Sequence, residues 1–234
     1  RRRKTMKNLT LENIAKACNG SYHGSEAQAN QEVQSIFTDS RKAVKGGLFV
    51  PIKGARVDAH DFINQVMEAG ALATLSEKDL GETEFPYIKV ESSLQAVKDI
   101  AEFYLKQLEI PVVGITGSVG KTSTKEMIAA VLGQKYNVLK TQGNFNNELG
   151  ISDFGEMHRL AKIARPDTCV ITNIGLCHLE FLKSRDGILK AKTEIFDFLK
   201  EDGHVILNGD DDKLVTVTDV KGIKPVFFGV ENKN

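Results

Sequence analysis

The sequence predicts an α/β protein: a small α/β domain followed by a domain built on a parallel sheet. Three observations predict it. From residue 112 onward, short apolar runs alternate with amphipathic stretches, as in VVGIT (112–116), KTSTKEMIAAVLG (121–133), CVITNI (169–174), HVILN (204–208) and PVFFG (225–229). Apolar strands joined through helices form parallel sheets covered on both faces. A break at EIP (109–111) separates this region from what precedes it, because Pro111 disfavours helix at Ile110. Between the first strand and first helix of the second region lies a glycine-rich turn, TGSVG (116–120). The expected boundaries are an extension over 1–5, a first domain over 6–109 and a second over 110–234.

In the first domain, LTLENIAKAC (9–18) predicts a short helix capped by Thr10. GLFVPI (47–52), ALATLS (71–76) and YIKV (87–90) read as strands. AHDFINQVMEAG (59–70) places Phe62, Ile63, Val66 and Met67 on one helical face and ends at Gly70. SSLQAVKDIAEFYLKQL (92–108) is a longer amphipathic helix whose apolar face carries Leu94, Val97, Ile100, Ala101, Tyr104, Leu105 and Leu108. In the second domain NVLKT (137–141) reads as a further strand. SDFGEMHRLAKIA (152–164) reads as a helix capped by Ser152, residues 184–200 as a helix, and DDKLVTV as a short one.

Lys and Arg total 31, as do Asp and Glu, which argues against a nucleic-acid partner. No apolar run approaches the roughly 20 residues of a membrane helix. Cys18, Cys169 and Cys177, sparse and without a CxxC pair, read as reduced thiols of a cytoplasmic protein. RRRKT precedes Met6, which reads as a natural start, and the basic N-terminus lacks the apolar core of a signal peptide.

The turn at 116–120 has the parts of a phosphate loop: a strand that stops, two glycines, and a helix start whose amides face an anion. Lys121 can reach the β and γ phosphates of a nucleotide, and the Thr122 hydroxyl can hold Mg²⁺. The first glycine of the usual G-x-x-x-x-G-K-[ST] pattern is replaced by Ile115. That changes how the chain enters the loop and leaves those parts in place.

The run T-G-S-V-G-K-T-S resembles the ATP loop of the Mur ligase family and of the related folate polyglutamate synthases. FTDSRKAVKGGLFVPIKGARVDAHDFI (37–63) is similar to the family's nucleotide-sugar domain. TQGNFNNELG (141–150) and ARPDTCVITNIGLCHLEFLKSRDGILKAKTEIF (164–196) are similar to its central ATPase domain. The wording GNFNNE and TNIG..HLE is most similar to the branch that adds D-alanyl-D-alanine to UDP-N-acetylmuramoyl-tripeptide. The resemblance implies an ATP- and Mg²⁺-dependent reaction. A substrate carboxylate becomes an acyl phosphate, then an amine displaces phosphate, and cations and fixed donors stabilise the gathering negative charge. It implies a cytoplasmic enzyme, expected here as a monomer, with those two molecules as substrates.

The resemblance also implies roles for individual residues. Gly117, Ser118, Val119, Gly120, Lys121, Thr122 and Ser123 would wrap the ATP phosphates. Thr122 and His178 would hold Mg²⁺, as would Lys192 if carbamylated; left unmodified, Lys192 is an ordinary helix lysine. Lys190 and Lys192 stand two apart and do not share a helical face. Asn208 and Asp210 resemble the pair near adenine and ribose, a role compatible with helix capping. Ser40, Arg41, Lys53, Asp58 and His60 resemble the uridine-diphosphate contacts, with Arg41 and Lys53 suited by charge to the diphosphate. Asn144, Asn146 and Asn147 resemble a substrate loop, although an Asn cluster also suits a plain turn.

Two departures stand against the resemblance. At 150/151 the chain passes almost directly into SDFGEM, where the family continues through a helix and a buried strand ending in a Mg²⁺-binding acid. Loss of a strand from within a parallel sheet predicts rearranged pairing or a weakened domain. The family also has a third domain that closes over ATP, so this chain alone is expected not to complete ligation. Another Mur ligase, a folate polyglutamate synthase and a non-catalytic nucleotide-sugar-binding module are the alternatives.

Overall fold

The computed structural model describes residues 6–141, 154–176 and 182–231. It divides into two compact units, Arg1–Leu108 and Glu109–Asn234.

The first unit opens with α1 (Leu11–Ala17). The Thr10 hydroxyl accepts the Asn13 N–H at 3.1 Å, the cap expected from sequence. β1 (Ser21–His23), α2 (Glu26–Ala29) and β2 (Ile36–Phe37) follow. After them come β3 (Leu48–Phe49), α3 (Ile63–Glu68), β4 (Ala73–Ser76), β5 (Tyr87–Lys89) and α4 (Ser93–Lys106). The strands form a sheet of order β1-β5-β4-β3-β2. All neighbours are parallel except β1, which pairs antiparallel to β5 with Ser21 opposite Lys89.

Successive strand residues face opposite sides of the sheet, so Leu48 and Phe49 enter different cores. Leu48, Leu75 and Ile88 pack with Leu11, Ile14 and Ile100 of α1 and α4. Phe49 packs with Ile63 and Val66 of α3. Two strands and a helix went unforeseen, because elements of two to four residues are too short to show a period. The inner face of α4 is turned from its expected setting: Ala96 and Ile100 are buried, while Leu94 is 40 % exposed.

The second unit contains β6 (Val113–Thr116), α5 (Lys121–Leu132), α6 (Glu156–Ala164), β7 (Thr168–Ile171), α7 (Arg185–Thr193), β8 (His204–Asn208) and β9 (Val226–Phe228). Its sheet is fully parallel, ordered β6-β7-β8-β9, with Val113 opposite Thr168 and Thr168 opposite His204. Cys169, Ile171, Val205 and Leu207 pack with Ile188, Ile195 and Leu214.

Four expectations need correction here. NVLKT lies outside any strand, with Val138 and Leu139 exposed. A strand needs a ladder neighbour, and among the described residues the sheet ends at β6. Among the described residues, cover on both faces holds around β7 and β8 but not at this end, where α5 has no buried residue and Met127 and Val131 face solvent. The helix expected over 184–200 divides into α7 and a 3₁₀ turn, Glu194–Phe198, and DDKLVTV shrinks to one turn, Leu214–Thr216. The expected cap Ser152 lies outside the described residues.

Candidate nucleotide-binding site

β6, β7 and β8 run parallel, so their carboxyl ends lie along one edge of the sheet, where α/β proteins bind ligands. The glycine loop leaves β6 there and enters α5 through Gly120, whose φ of +85° is left-handed. Gly117 has φ +143°. A Cβ at Gly117 would stand 1.9 Å from the Thr172 hydroxyl, so no side chain fits. The helix start supplies amides without intrahelical partners, as a phosphate site requires. Lys121 donates its ammonium to the Gly117 carbonyl at 2.8 Å and the Ser118 carbonyl at 3.4 Å, which lays the cation along the loop.

The segment leaving β7 braces this loop. Ser118 N–H donates to the Asn173 carbonyl at 3.1 Å and Val119 N–H to Asn173 Oδ1 at 3.0 Å. Gly175 N–H donates to Ser118 Oγ at 2.9 Å. On the other side, Asn208 Nδ2 donates to the Thr172 carbonyl at 3.0 Å. The loop, the β7 exit and Asn208 therefore come together. Asp210 carries a separate duty: its carboxylate accepts the Val230 and Glu231 N–H groups beyond β9.

Lys192 is buried, 4 % exposed, in the last turn of α7. Lys190, two residues before it, is exposed and its ammonium lies 5.6 Å from the Phe154 ring centre. Only one of the two turns inward, as the spacing requires. His178, Asn144, Asn146 and Asn147 lie outside the described residues. Among the described residues, no three His, Cys, Asp or Glu side chains gather as a metal-ligand group.

Sequence reasoning missed a second brace. The Ile174 peptide is gripped at both ends: Asp211 Oδ2 accepts its N–H at 2.8 Å and Arg185 Nε donates to its carbonyl at 2.9 Å. Arg185 in turn forks onto Asp212 at 2.6 and 2.9 Å. Those bonds hold the Asp212 carboxyl below the usual carboxylate range. A polar cluster at strand ends was the available signal, in TN (172–173) and DDD (210–212).

In the first unit the candidate residues follow β2 and β3 and form the turn that leads into α3. Ser40 and Arg41 form a 3₁₀ turn capped by Asp39, which accepts the Arg41 N–H at 3.1 Å. The guanidinium forks onto the same carboxylate at 2.9 Å and holds Asp39 at a pKa of about 2. Arg41 is otherwise exposed, as is Lys53 beside it in chain order after β3. Lys53 pairs with Asp58 in an antiparallel bridge. Asp58 accepts the His60 N–H at 3.0 Å and lies 2.6 Å from His60 Nδ1. The Glu77 N–H donates to His60 Nε2 at 3.2 Å. Nε2 is thus the acceptor and Nδ1 carries the proton that Asp58 accepts. His60 is buried with both nitrogens engaged, so it fastens the 53–58 loop to the end of β4.

Comparison with known proteins agrees with both units. A model described as Mur ligase middle domain matches residues 115–154 and 147–234, and one described as Mur ligase family, catalytic domain, matches 32–112. UDP-N-acetylmuramoyl-tripeptide–D-alanyl-D-alanine ligase of Bacillus subtilis is 40 % identical over 224 residues, covering 86 % of this chain and 49 % of the relative. The ligase of the same name from Escherichia coli is 35 % identical, covering 95 % and 52 %. Among solved structures, MurF from Acinetobacter baumannii superimposes with a TM-score of 0.84 at 31 % identity, covering 94 % of this chain and 53 % of that one. MurF ligase from Thermotoga maritima in complex with ADP gives 0.76 at 33 % identity, covering 85 % and 51 %. The chain spans about half the length of the curated relatives it matches. With the middle-domain model spread across 115–234 and the second model covering the first unit, the chain belongs to the Mur ligase family.

Proposed function

We propose that this chain is the nucleotide-sugar domain and part of the central domain of an ATP-dependent ligase, one that adds D-alanyl-D-alanine to UDP-N-acetylmuramoyl-tripeptide. Residues 6–109 take the uridine nucleotide and residues 110–234 take MgATP. The observation that carries the reading is the glycine loop itself, a strand–turn–helix with Gly117 in contact with Thr172, Gly120 left-handed, and Lys121 laid along it.

The loop suits the phosphates of a nucleotide, since Lys121 lies along it and the first amides of α5 open beside it. ATP supplies, when bound, the phosphoryl group that activates a substrate carboxylate. Lys121 neutralises charge on the β and γ phosphates, and the amides at the start of α5 orient them. Thr122 and His178 are the candidate Mg²⁺ ligands, joined by Lys192 if its amine carries a carbamate, which would place an anion where the structure has a buried lysine. Asn208 lies beside the loop for the nucleoside, and Asp210 shapes the turn next to it. Exposed Arg41 and Lys53, with Ser40, meet the diphosphate of the sugar nucleotide, while Asp58 and His60 hold their loop. Asn144, Asn146 and Asn147 stay assigned to the substrate loop by resemblance.

Calorimetric titration with MgATP and, separately, with UDP-N-acetylmuramoyl-tripeptide tests this. Lys121→Ala should weaken MgATP binding by about tenfold or more, in line with a charge-assisted bond of about 1.5–3 kcal/mol, and leave the nucleotide-sugar isotherm unchanged. Arg41→Ala with Lys53→Ala should do the reverse. Equal loss of both ligands in either variant would sink the assignment.

A second reading, a non-catalytic nucleotide-binding module, is favoured by one observation. The middle-domain match comes in two runs that overlap at 147–154, where the sequence departs from the family pattern. Phosphate release with both full-length substrates present separates the two readings.

A further inference from the structure

The peptide between Val119 and its neighbours lies between two glycines with positive φ, Gly117 and Gly120. Such a stretch has few conformational preferences of its own. It is nonetheless held at both ends by side chains from the adjacent strand exit. Asn173 Oδ1 accepts the Val119 N–H at 3.0 Å, and the Thr172 hydroxyl donates to the Val119 carbonyl at 2.6 Å. Thr172 is 8 % exposed and its own carbonyl is tied to β8 through Asn208 at 3.0 Å. The clamp is therefore anchored in the sheet.

We infer that Thr172 and Asn173 are positioning residues for the phosphate loop, the Thr172 hydroxyl fixing the Val119–Gly120 peptide so that the Gly120 N–H faces toward a nucleotide's phosphates. This rests on the MgATP reading of the site. The clamp also accounts for Gly117, since the clamping hydroxyl occupies the space a Cβ would need.

The test compares Thr172→Val, which keeps the shape and removes the hydroxyl, with Thr172→Ser, which keeps the hydroxyl. Amide hydrogen exchange of residues 118–120 and MgATP titration are read on the whole chain. Thr172→Val should speed exchange at Val119 and Gly120 and raise the MgATP Kd by about tenfold, the scale of one lost hydrogen bond. Thr172→Ser should return both to within about threefold of the parent, a difference below 1 kcal/mol. Uridine-nucleotide binding should not change in either. Parent-like exchange in Thr172→Val overturns the proposal, as does equal impairment of the Ser and Val variants. If Thr172→Val does not fold, Asn173→Ala, which removes only the Oδ1 acceptor, gives the same reading. If the parent chain binds no MgATP, the nucleotide reading fails, and the exchange comparison still decides the clamp.

Discussion

Asp167 shows how one carboxylate can hold a sheet together. Its Oδ2 accepts the Val112 N–H at 2.7 Å and its Oδ1 accepts Lys200 Nζ at 2.6 Å, joining the entry of β6 to the segment that leads into β8. Burial pushes its pKa up, yet the bonds from Lys200 and Val112 outweigh that and hold it below the ordinary value. A pKa lower in the folded than in the unfolded chain contributes stability above about 3.9, which is lost as pH falls through the folded value. Asp167→Asn should therefore lower the melting temperature at pH 7, and the gap to the parent should close as the pH drops below about 4. A gap that stays constant with pH would show that the charge is irrelevant. At this scale the sequence is legible where a residue's neighbours in the chain decide its role. Thr10 as a cap is such a case. It is not legible where the partner is distant. Nothing near His60 in sequence announces that Glu77 will occupy its second nitrogen.

The helices repeat the lesson at the next scale. α6 begins at Gly155, whose φ of +82° leaves no capping side chain of its own. Its cap comes from 39 residues away: Glu194 accepts the Gly155 N–H with both oxygens at 2.9 Å and the His158 N–H at 3.2 Å. A carboxylate at a helix N-terminus also suits the helix dipole. Glu194→Ala should cost about 1 kcal/mol of unfolding free energy, the usual loss of an N-cap, read as an earlier midpoint in urea with an unchanged slope. No loss would mean that water caps α6 equally well. The strand–helix alternation is readable because each strand of the second unit carries two or three apolar residues in a short run and the helices between them are longer. NVLKT has the composition of a strand and forms none here, because composition cannot supply the neighbouring ladder. The braces on Val119 and Ile174 were hidden for the same reason, since each joins strand exits 37 to 54 residues apart.

At the scale of the molecule, the two units have separate cores that share no residue. Ile88→Ala and Leu207→Ala should each destabilise by about 2–5 kcal/mol, the first in the unit proposed to bind a uridine nucleotide and the second in the unit proposed to bind MgATP. A ligand at a hundred times its Kd adds about 2.7 kcal/mol to the unit it binds, so differential melting with each ligand reads the pairing directly. A single transition shifted equally by both ligands would contradict it. Among the described residues, the core of each unit also contains one cysteine thiol. Cys18 is buried in the first and Cys169 in the second, and loss of solvation raises their thiol pKa values to about 11 and about 12. A thiol at such values is almost wholly protonated near neutral pH and reacts only when its surroundings part. Alkylation followed peptide by peptide thus turns these two atoms into independent clocks, one timing the opening of each half of the chain.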